Sequence, residues 1–172
     1  MKIVIMGYSG SGKSTLCRIL HERYRIPALH LDTVQFLPNW EVRPEAEKQS
    51  IVQSFLDRNP DGWVIDGNYS KLSYARRVEE ADVVIQLLFG RLHCLSRCFR
   101  RYRAYRGTSR PDMAEGCREK MDWAFVRWIL WEGRSKKIRD RYQQIRNQYP
   151  DKVLVLRNQK QLDAYIKGLP SS

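Results

Sequence analysis

The sequence of 172 residues has no long hydrophobic run. No stretch approaches the ~18 consecutive apolar residues that are needed to cross a membrane. The first apolar run, "KIVIM" at residues 2–6, is followed closely by glycines and a lysine. It has neither the length nor the cleavage site of a signal peptide. These absences predict a cytoplasmic protein that does not act within a membrane.

Cysteine is scarce, with four residues in the chain. Without a secretory signal, the cysteines are expected to be reduced thiols. Cys94 and Cys98 lie one helical turn apart near His93, but they do not have the spacing of a zinc knuckle and no second cysteine pair follows. We therefore expect these two cysteines to pack a helix against its neighbours and not to bind a metal.

Acidic residues are few, with 19 Asp and Glu against 31 Lys and Arg, so the net charge is +12. Between Arg91 and Arg146, sixteen basic residues stand against six acidic ones. Such a field attracts polyanions, either nucleotides or nucleic acid, and it discourages self-association, which predicts a monomer. We find no helix-turn-helix or other motif that reads DNA, so weak nucleic-acid binding stays an alternative.

Internal repeats, low-complexity tracts and domain linkers are also absent, and short apolar strands alternate with helices. Strands are predicted at residues 2–6, 27–32, 62–67, 82–89 and 152–156. Helices are predicted at residues 13–24, 45–59, 73–81, from 91 onwards, at 118–148 with a bend at Gly133, and at the C-terminus. This alternation predicts right-handed βαβ crossovers and a single α/β domain over residues 1–172. Its five-stranded parallel sheet would be covered by helices on both faces.

Residues 7–14, "GYSGSGKS", match the pattern G-x-x-x-x-G-K-[ST] of a phosphate-binding loop, or P-loop. The motif follows a buried strand and opens a helix, so that its N–H groups converge on phosphate oxygens. Lys13 would reach the β- and γ-phosphates, and the Ser14 hydroxyl suits Mg²⁺. The rival pattern G-x-G-x-x-G fails, because Thr15 occupies its third glycine. The predicted nucleotide-binding residues of the loop are Gly7, Ser9, Gly10, Ser11, Gly12, Lys13, Ser14 and Thr15.

Two aspartates follow predicted strands at the edge of the sheet where ligands bind. Asp32 comes after the second strand and Asp66 after the third. An aspartate there can hold Mg²⁺ or accept a proton from an attacking hydroxyl, although aspartates also cap helices and turns. Asp66 is predicted to bind the metal together with Ser14, and both aspartates are predicted to lie in the substrate site.

Arginines dominate the segment after the fourth strand. Arg97 and Arg101 have i, i+4 spacing and share one helix face. Arg106 and Arg110 lie in the irregular stretch "YRGTSRPDMAEG". A basic lid over about residues 103–117 would close over a nucleotide, exclude water and neutralise charge on the transferred phosphoryl group.

The stretches "GYSGSGKST", "LHLDTVQFLPNWEVRP", "WVIDGNYS" and "CREKMDWAFVRWI" resemble the bacterial topology modulation protein family, often called FlaR-like. The resemblance covers nearly the whole chain. It implies a P-loop protein with the three-layer α/β/α fold of adenylate kinase. The family's name comes from an association with DNA topology and does not establish a reaction.

The resemblance also implies roles for individual residues. It places Arg97 and Arg101 as lid-proximal arginines, Trp40 and Tyr69 as walls of the acceptor pocket, and Arg157 beside the adenine. The arginine that grips AMP in adenylate kinases is missing after Asp66, which argues against AMP as the acceptor. An aspartate at position 32 is similar to that of kinases acting on small hydroxylated metabolites, such as shikimate kinase, or on nucleosides.

The sequence thus predicts an ATP-dependent kinase that uses Mg²⁺ and transfers the γ-phosphoryl group of ATP to a small acceptor. The alternative is a nucleotide-dependent DNA-binding or regulatory protein that affects DNA topology. The predicted catalytic residues are Lys13, Asp32, Arg97, Arg101, Arg106 and Arg110.

Overall fold

The computed structural model describes residues 1–106, 116–117, 119 and 121–170, in which strands alternate with helices. The strands are β1 (Lys2–Gly7), β2 (Ala28–His30), β3 (Trp63–Asp66), β4 (Val83–Leu87) and β5 (Val153–Leu156). The helices are α1 (Lys13–Tyr24), α2 (Leu31–Gln35), α3 (Glu45–Arg58), α4 (Tyr74–Glu80), α5 (Arg91–Ala104), α6 (Trp123–Leu130), α7 (Lys136–Gln148) and α8 (Gln159–Lys167). None of the described helices is long and apolar enough to span a membrane.

The strands form one sheet in the order β2-β3-β1-β4-β5, and every neighbouring pair is parallel. The predicted α/β fold with a five-stranded parallel sheet is confirmed. Asp66, the last residue of β3, pairs with Ile5 of β1 on one side and with His30 of β2 on the other. The carboxyl ends of β1, β2 and β3 therefore meet at one edge, where parallel sheets bind their ligands.

Both faces of the sheet are covered, as expected for parallel strands with continuous apolar runs. Ile3 and Ile5 of β1 belong to a core cluster on one face that includes residues of α1 and α8. Val4 and Met6 belong to a second cluster on the other face that includes residues of α3 and α7. Side chains alternate between the faces of a strand, so β1 anchors both layers.

The prediction of one continuous helix at residues 118–148 is wrong. Asp122 caps α6 by accepting a hydrogen bond from the backbone N–H of Phe125, and a 3₁₀ turn at Glu132–Arg134 separates α6 from α7. Arg134 within this turn is buried and donates to the carbonyls of Ile129 and Phe89. These bonds tie the turn to the end of β4, which breaks the helix at the glycine where a bend was expected.

A buried arginine fixes the turn between β3 and α4. Arg77 has no exposed surface, and its guanidinium donates to the carbonyls of Leu72 (2.8 Å) and Tyr69 (2.7 Å). Burial lowers the pKa of Arg77 to about 10. Because buried carbonyls require partners, Arg77 holds Tyr69 in place beside the carboxyl end of the sheet.

Replacement of Arg77 by leucine is expected to lower the free energy of unfolding by roughly 2–4 kcal/mol, because two carbonyls lose a charged donor. The same change at Arg76, which pairs with Asp57 and Glu80 at the surface, is expected to cost no more than about 1 kcal/mol. Urea denaturation measures the free energy of unfolding of both variants. Equal losses of this free energy in the two variants would show that Arg77 does not hold the turn.

Candidate active site

The P-loop connects β1 to α1 and depends on glycine at two positions. Gly10 and Gly12 have φ angles of 78° and 97°, in the left-handed region that favours glycine. A Cβ on Gly10 would lie 2.6 Å from Cys98 Sγ, and one on Gly12 would lie 2.6 Å from Arg97 Nη2. Both glycines therefore allow the loop to approach α5 closely.

Replacement of Gly12 by alanine is expected to weaken ADP binding at least ~10-fold, because an L side chain at a φ angle of 97° strains the loop. Gly90→Ala is the matched control, since Gly90 has a φ of −61° and no heavy atom within 4 Å of the added Cβ. Titration of a fluorescent ADP analogue measures both affinities. Unchanged binding by a folded Gly12→Ala variant would contradict the assigned loop geometry.

Ser11 provides a direct indication of a ligand in the loop. Its backbone N–H donates to the Tyr8 carbonyl (3.1 Å). Its side-chain Oγ is buried and has no hydrogen-bond partner among the residues that the structure describes. Buried hydroxyl groups are normally paired, and a phosphate oxygen in the loop would supply the missing acceptor. The loop therefore fits a phosphate group.

Ser14 and Asp66 bring hard oxygen donors together beneath the loop. Ser14 Oγ donates to Asp66 Oδ2 at 2.9 Å, and Asp66 is only 4% exposed. The nearby Lys13 ammonium group donates to the Tyr8 carbonyl at 3.3 Å. Hydroxyl and carboxylate oxygens are the ligands that Mg²⁺ prefers, so the residues present fit a magnesium ion bound with phosphates.

Asp32 and Tyr69 form a second polar pair in the site. Asp32 lies on α2, although residues 27–32 were predicted as a strand, and the Tyr69 hydroxyl donates to Asp32 Oδ1 at 2.7 Å. Burial and the neighbouring Asp32 raise the pKa of Tyr69 above its ordinary value. Tyr69 therefore stays protonated and acts as a hydrogen-bond donor to the Asp32 carboxylate. We call these two residues the Asp32–Tyr69 pair.

One cavity of about 1150 Å³ joins the loop to the Asp32–Tyr69 pair. Trp40 lines it next to Phe36, the two rings meeting edge to face at 5.1 Å. Gly7, Ser11 and Asp66 are buried beneath its floor. Most of the predicted site residues line the cavity: Ser9, Gly10, Gly12, Lys13, Ser14, Thr15, Asp32, Trp40, Tyr69, Arg97 and Arg101.

The arginines of α5 are held by specific partners. Arg97 Nη1 donates to Gln159 Oε1, and burial lowers the pKa of Arg97. Arg101 Nε lies 3.1 Å from Oε1 of the buried Glu119. Both arginines line the cavity, and the Arg97 guanidinium lies beside Gly12 of the P-loop.

Three predicted arginines are not part of the cavity lining as the structure describes it. Arg106 is exposed and does not line the cavity as described, and Arg110 lies outside the described residues, as does most of the predicted lid at 107–115. Arg157 is also exposed and does not line the cavity as described, and its place beside the adenine stays a prediction. Asn158 caps α8 by accepting from the Gln161 N–H, so the chain turns there and Gln159 lines the cavity instead.

Sequence reasoning missed two residues at the sheet edge. His30 Nδ1 lies 2.6 Å from Asp66 Oδ1. The Asn68 carboxamide accepts from the Gly7 N–H (3.0 Å) and donates to the Gly7 carbonyl (2.6 Å), which clamps the start of the P-loop. Their positions directly at strand ends, in "LHLD" and "IDGNYS", were the available signal.

Comparison of the sequence with protein-family models and with curated proteins finds no match. Solved structures are similar over nearly the whole chain. An uncharacterized protein from Eubacterium ventriosum has a TM-score of 0.53 at 14% identity, covering 98% of this chain and 97% of its own. A gluconokinase from Sinorhizobium meliloti has a TM-score of 0.50 at 15% identity, covering 96% and 87%. At these identities the likeness shows the fold alone, and membership of the FlaR-like family stays a prediction.

Proposed function

We propose that this protein is a kinase that transfers the γ-phosphoryl group of Mg²⁺-ATP to a hydroxyl group of a small acceptor. The observation that carries the proposal is that residues of the P-loop and the Asp32–Tyr69 pair line the same cavity. A phosphoryl donor and an acceptor hydroxyl could meet there.

The residues divide the chemistry between them. The acceptor oxygen forms a bond to the γ-phosphorus while the bond to the β,γ-bridging oxygen breaks, and ADP leaves. Asp32 takes the hydroxyl proton, while Tyr69 holds the carboxylate in position. Lys13, Arg97 and Arg101 neutralise charge on the transferred group. Ser14 and Asp66 would hold Mg²⁺, which supplies further positive charge at the phosphates.

The acceptor end fits a small polyhydroxy compound better than a nucleoside monophosphate. Trp40 and Phe36 offer an aromatic wall to the apolar face of a ring or chain, and the Asp32–Tyr69 pair binds hydroxyls. The gluconokinase likeness supports the inclusion of sugar acids among the candidate acceptors.

ADP release from Mg²⁺-ATP, measured with a panel of acceptors, tests the proposal. The panel holds sugar acids, other hydroxylated metabolites, nucleosides and nucleoside monophosphates, with Lys13→Ala as the blank. One acceptor is expected to raise the rate at least ~10-fold in the wild type and not in the blank. A rate that no acceptor changes would contradict the proposal.

A second candidate, nucleic-acid binding, is favoured by the net charge of +12 and by exposed tryptophans at the basic surface. Trp123 and Trp131 are 74% and 57% exposed, on and beside α6. Stacking on aromatic rings and attraction to phosphates would support binding of DNA. Fluorescence anisotropy with duplex DNA at rising salt tests it, and a dissociation constant above ~10 μM without ATP dependence would indicate only non-specific attraction.

A further inference from the structure

The Asp66 carboxylate has both oxygens engaged. Oδ2 accepts from Ser14 Oγ at 2.9 Å, and Oδ1 lies 2.6 Å from His30 Nδ1. The carboxylate side chain is 5% exposed and the imidazole 17%. A buried carboxylate needs hydrogen-bond donors, and a proton on Nδ1 makes the imidazole the donor to Oδ1.

The backbone holds the imidazole at this position. His30 is the last residue of β2 and pairs directly with Asp66 in the β2–β3 register. Its carbonyl accepts a hydrogen bond from Thr33 Oγ1 at 2.7 Å, which fixes the turn from β2 into α2. The imidazole therefore engages the Asp66 oxygen that Ser14 does not, and Asp66 links His30 to the P-loop residue Ser14.

We propose that His30 is a positioning residue for the metal of the bound nucleotide, because its imidazole fixes the Asp66 carboxylate facing Ser14. The proposal rests on the proposed function, since the metal enters with the nucleotide. Groups behind the residues that bind a metal commonly set the orientation of those residues, and their loss costs ~10–100-fold in metal affinity.

A different role for the same residues is that of metal ligand. Cys17, His30 and Asp66 each offer one ligand atom, and these atoms lie within 4.8 Å of one another. Cys17 is fully buried, with Sγ 3.9 Å from the Val64 carbonyl. We favour positioning, because the hydrogen bond of His30 occupies the Asp66 oxygen that faces the imidazole.

The test measures Mn²⁺ binding in the presence of ADP by the loss of the free-ion electron paramagnetic resonance signal. Mn²⁺ takes the same oxygen ligands as Mg²⁺ and requires no knowledge of the acceptor. His30→Ala is expected to raise the dissociation constant of Mn²⁺ at least ~10-fold. ADP binding with EDTA present is expected to stay unchanged. His21→Ala, which alters an exposed histidine bonded to the Ile26 carbonyl, is the control.

Two amide variants separate positioning from mere support of the fold. The Nδ2 group of an asparagine at position 30 reaches about the place of imidazole Nδ1, whereas that of a glutamine extends one methylene further. His30→Asn is therefore expected to restore most of the Mn²⁺ affinity, and His30→Gln is not. Equal affinities in these two variants, or wild-type affinity in His30→Ala, would overturn the proposal.

The remaining outcomes of the binding experiment distinguish failure of the positioning role from failure of the proposed function. A loss of Mn²⁺ affinity in Cys17→Ser as large as that in His30→Ala would overturn positioning and assign the trio as metal ligands. If the wild type binds neither ADP nor Mn²⁺ with ADP, the proposed function fails first, and the role of His30 fails with it. Normal wild-type binding with an unaffected His30→Ala variant overturns only the positioning role.

Discussion

Replacement of Lys13 by alanine is expected to lower kcat for ATP turnover by about 10²–10³-fold, the loss typical of one charged donor at a transition state. The Lys13 ammonium group lies at the P-loop, 3.3 Å from the Tyr8 carbonyl, and lines the cavity. The ammonium group is placed to stabilise the negative charge of the γ-phosphoryl group during its transfer. The rate of ADP release, compared with that of the wild type, measures the effect.

Lys137→Ala removes the same charge from an exposed position on α7 and is the matched control. It is expected to leave the rate unchanged, because distant surface charges are screened by salt. Thermal unfolding of both variants shows whether the fold is intact. Undiminished ATP turnover in a folded Lys13→Ala variant would show that the P-loop lysine takes no part in the reaction.

Replacement of Asp32 by asparagine is expected to lower kcat by about 10²–10⁴-fold while ADP affinity stays the same. The asparagine keeps the shape of the side chain but cannot take a proton from the acceptor. The effect is expected on the chemical step, because Asp32 lies on α2 outside the P-loop and lines the same cavity. Steady-state kinetics with the acceptor found in the panel, together with ADP titration, separate the two quantities.

Tyr69→Phe and Asp61→Asn provide the comparison for this variant. Tyr69→Phe removes the hydroxyl that donates to Asp32. It is expected to lower kcat about 10–100-fold, which corresponds to the loss of one hydrogen bond to a charged group. Asp61→Asn alters an exposed aspartate before β3 and is expected to change nothing. A kcat for Asp32→Asn close to that of the wild type would exclude Asp32 as the base.

The local parts of the fold were predictable from the sequence. The P-loop is specified within eight residues, 7–14, because its glycines, lysine and serine each serve the same phosphate group. Strands such as β1 and β4 were predictable because both their faces are buried, which gives continuous apolar runs. The meeting of Lys13, Asp32 and Asp66 at one sheet edge followed from the parallel topology.

Contacts that depend on register or on capping were not predictable. The bond between His30 and Asp66 requires that β2 and β3 pair residue for residue, which a single strand does not reveal. Gln159 was not recognisable as a residue of the cavity, because it follows the cap that Asn158 forms at the start of α8. Arg77 was not recognisable as buried, because a charged residue next to Arg76 is typical of a surface helix.

Transfer of the labelled γ-phosphoryl group from [γ-³²P]ATP tests the central claim most directly. After incubation with the acceptor that most stimulates ADP release, the products are separated into inorganic phosphate and phosphorylated organic compound. The account predicts label on the acceptor, in proportion to the ADP formed, and about 10²–10³-fold less with Lys13→Ala. Label found only in inorganic phosphate, whatever acceptor is present, would contradict the account and would indicate a nucleotide hydrolase.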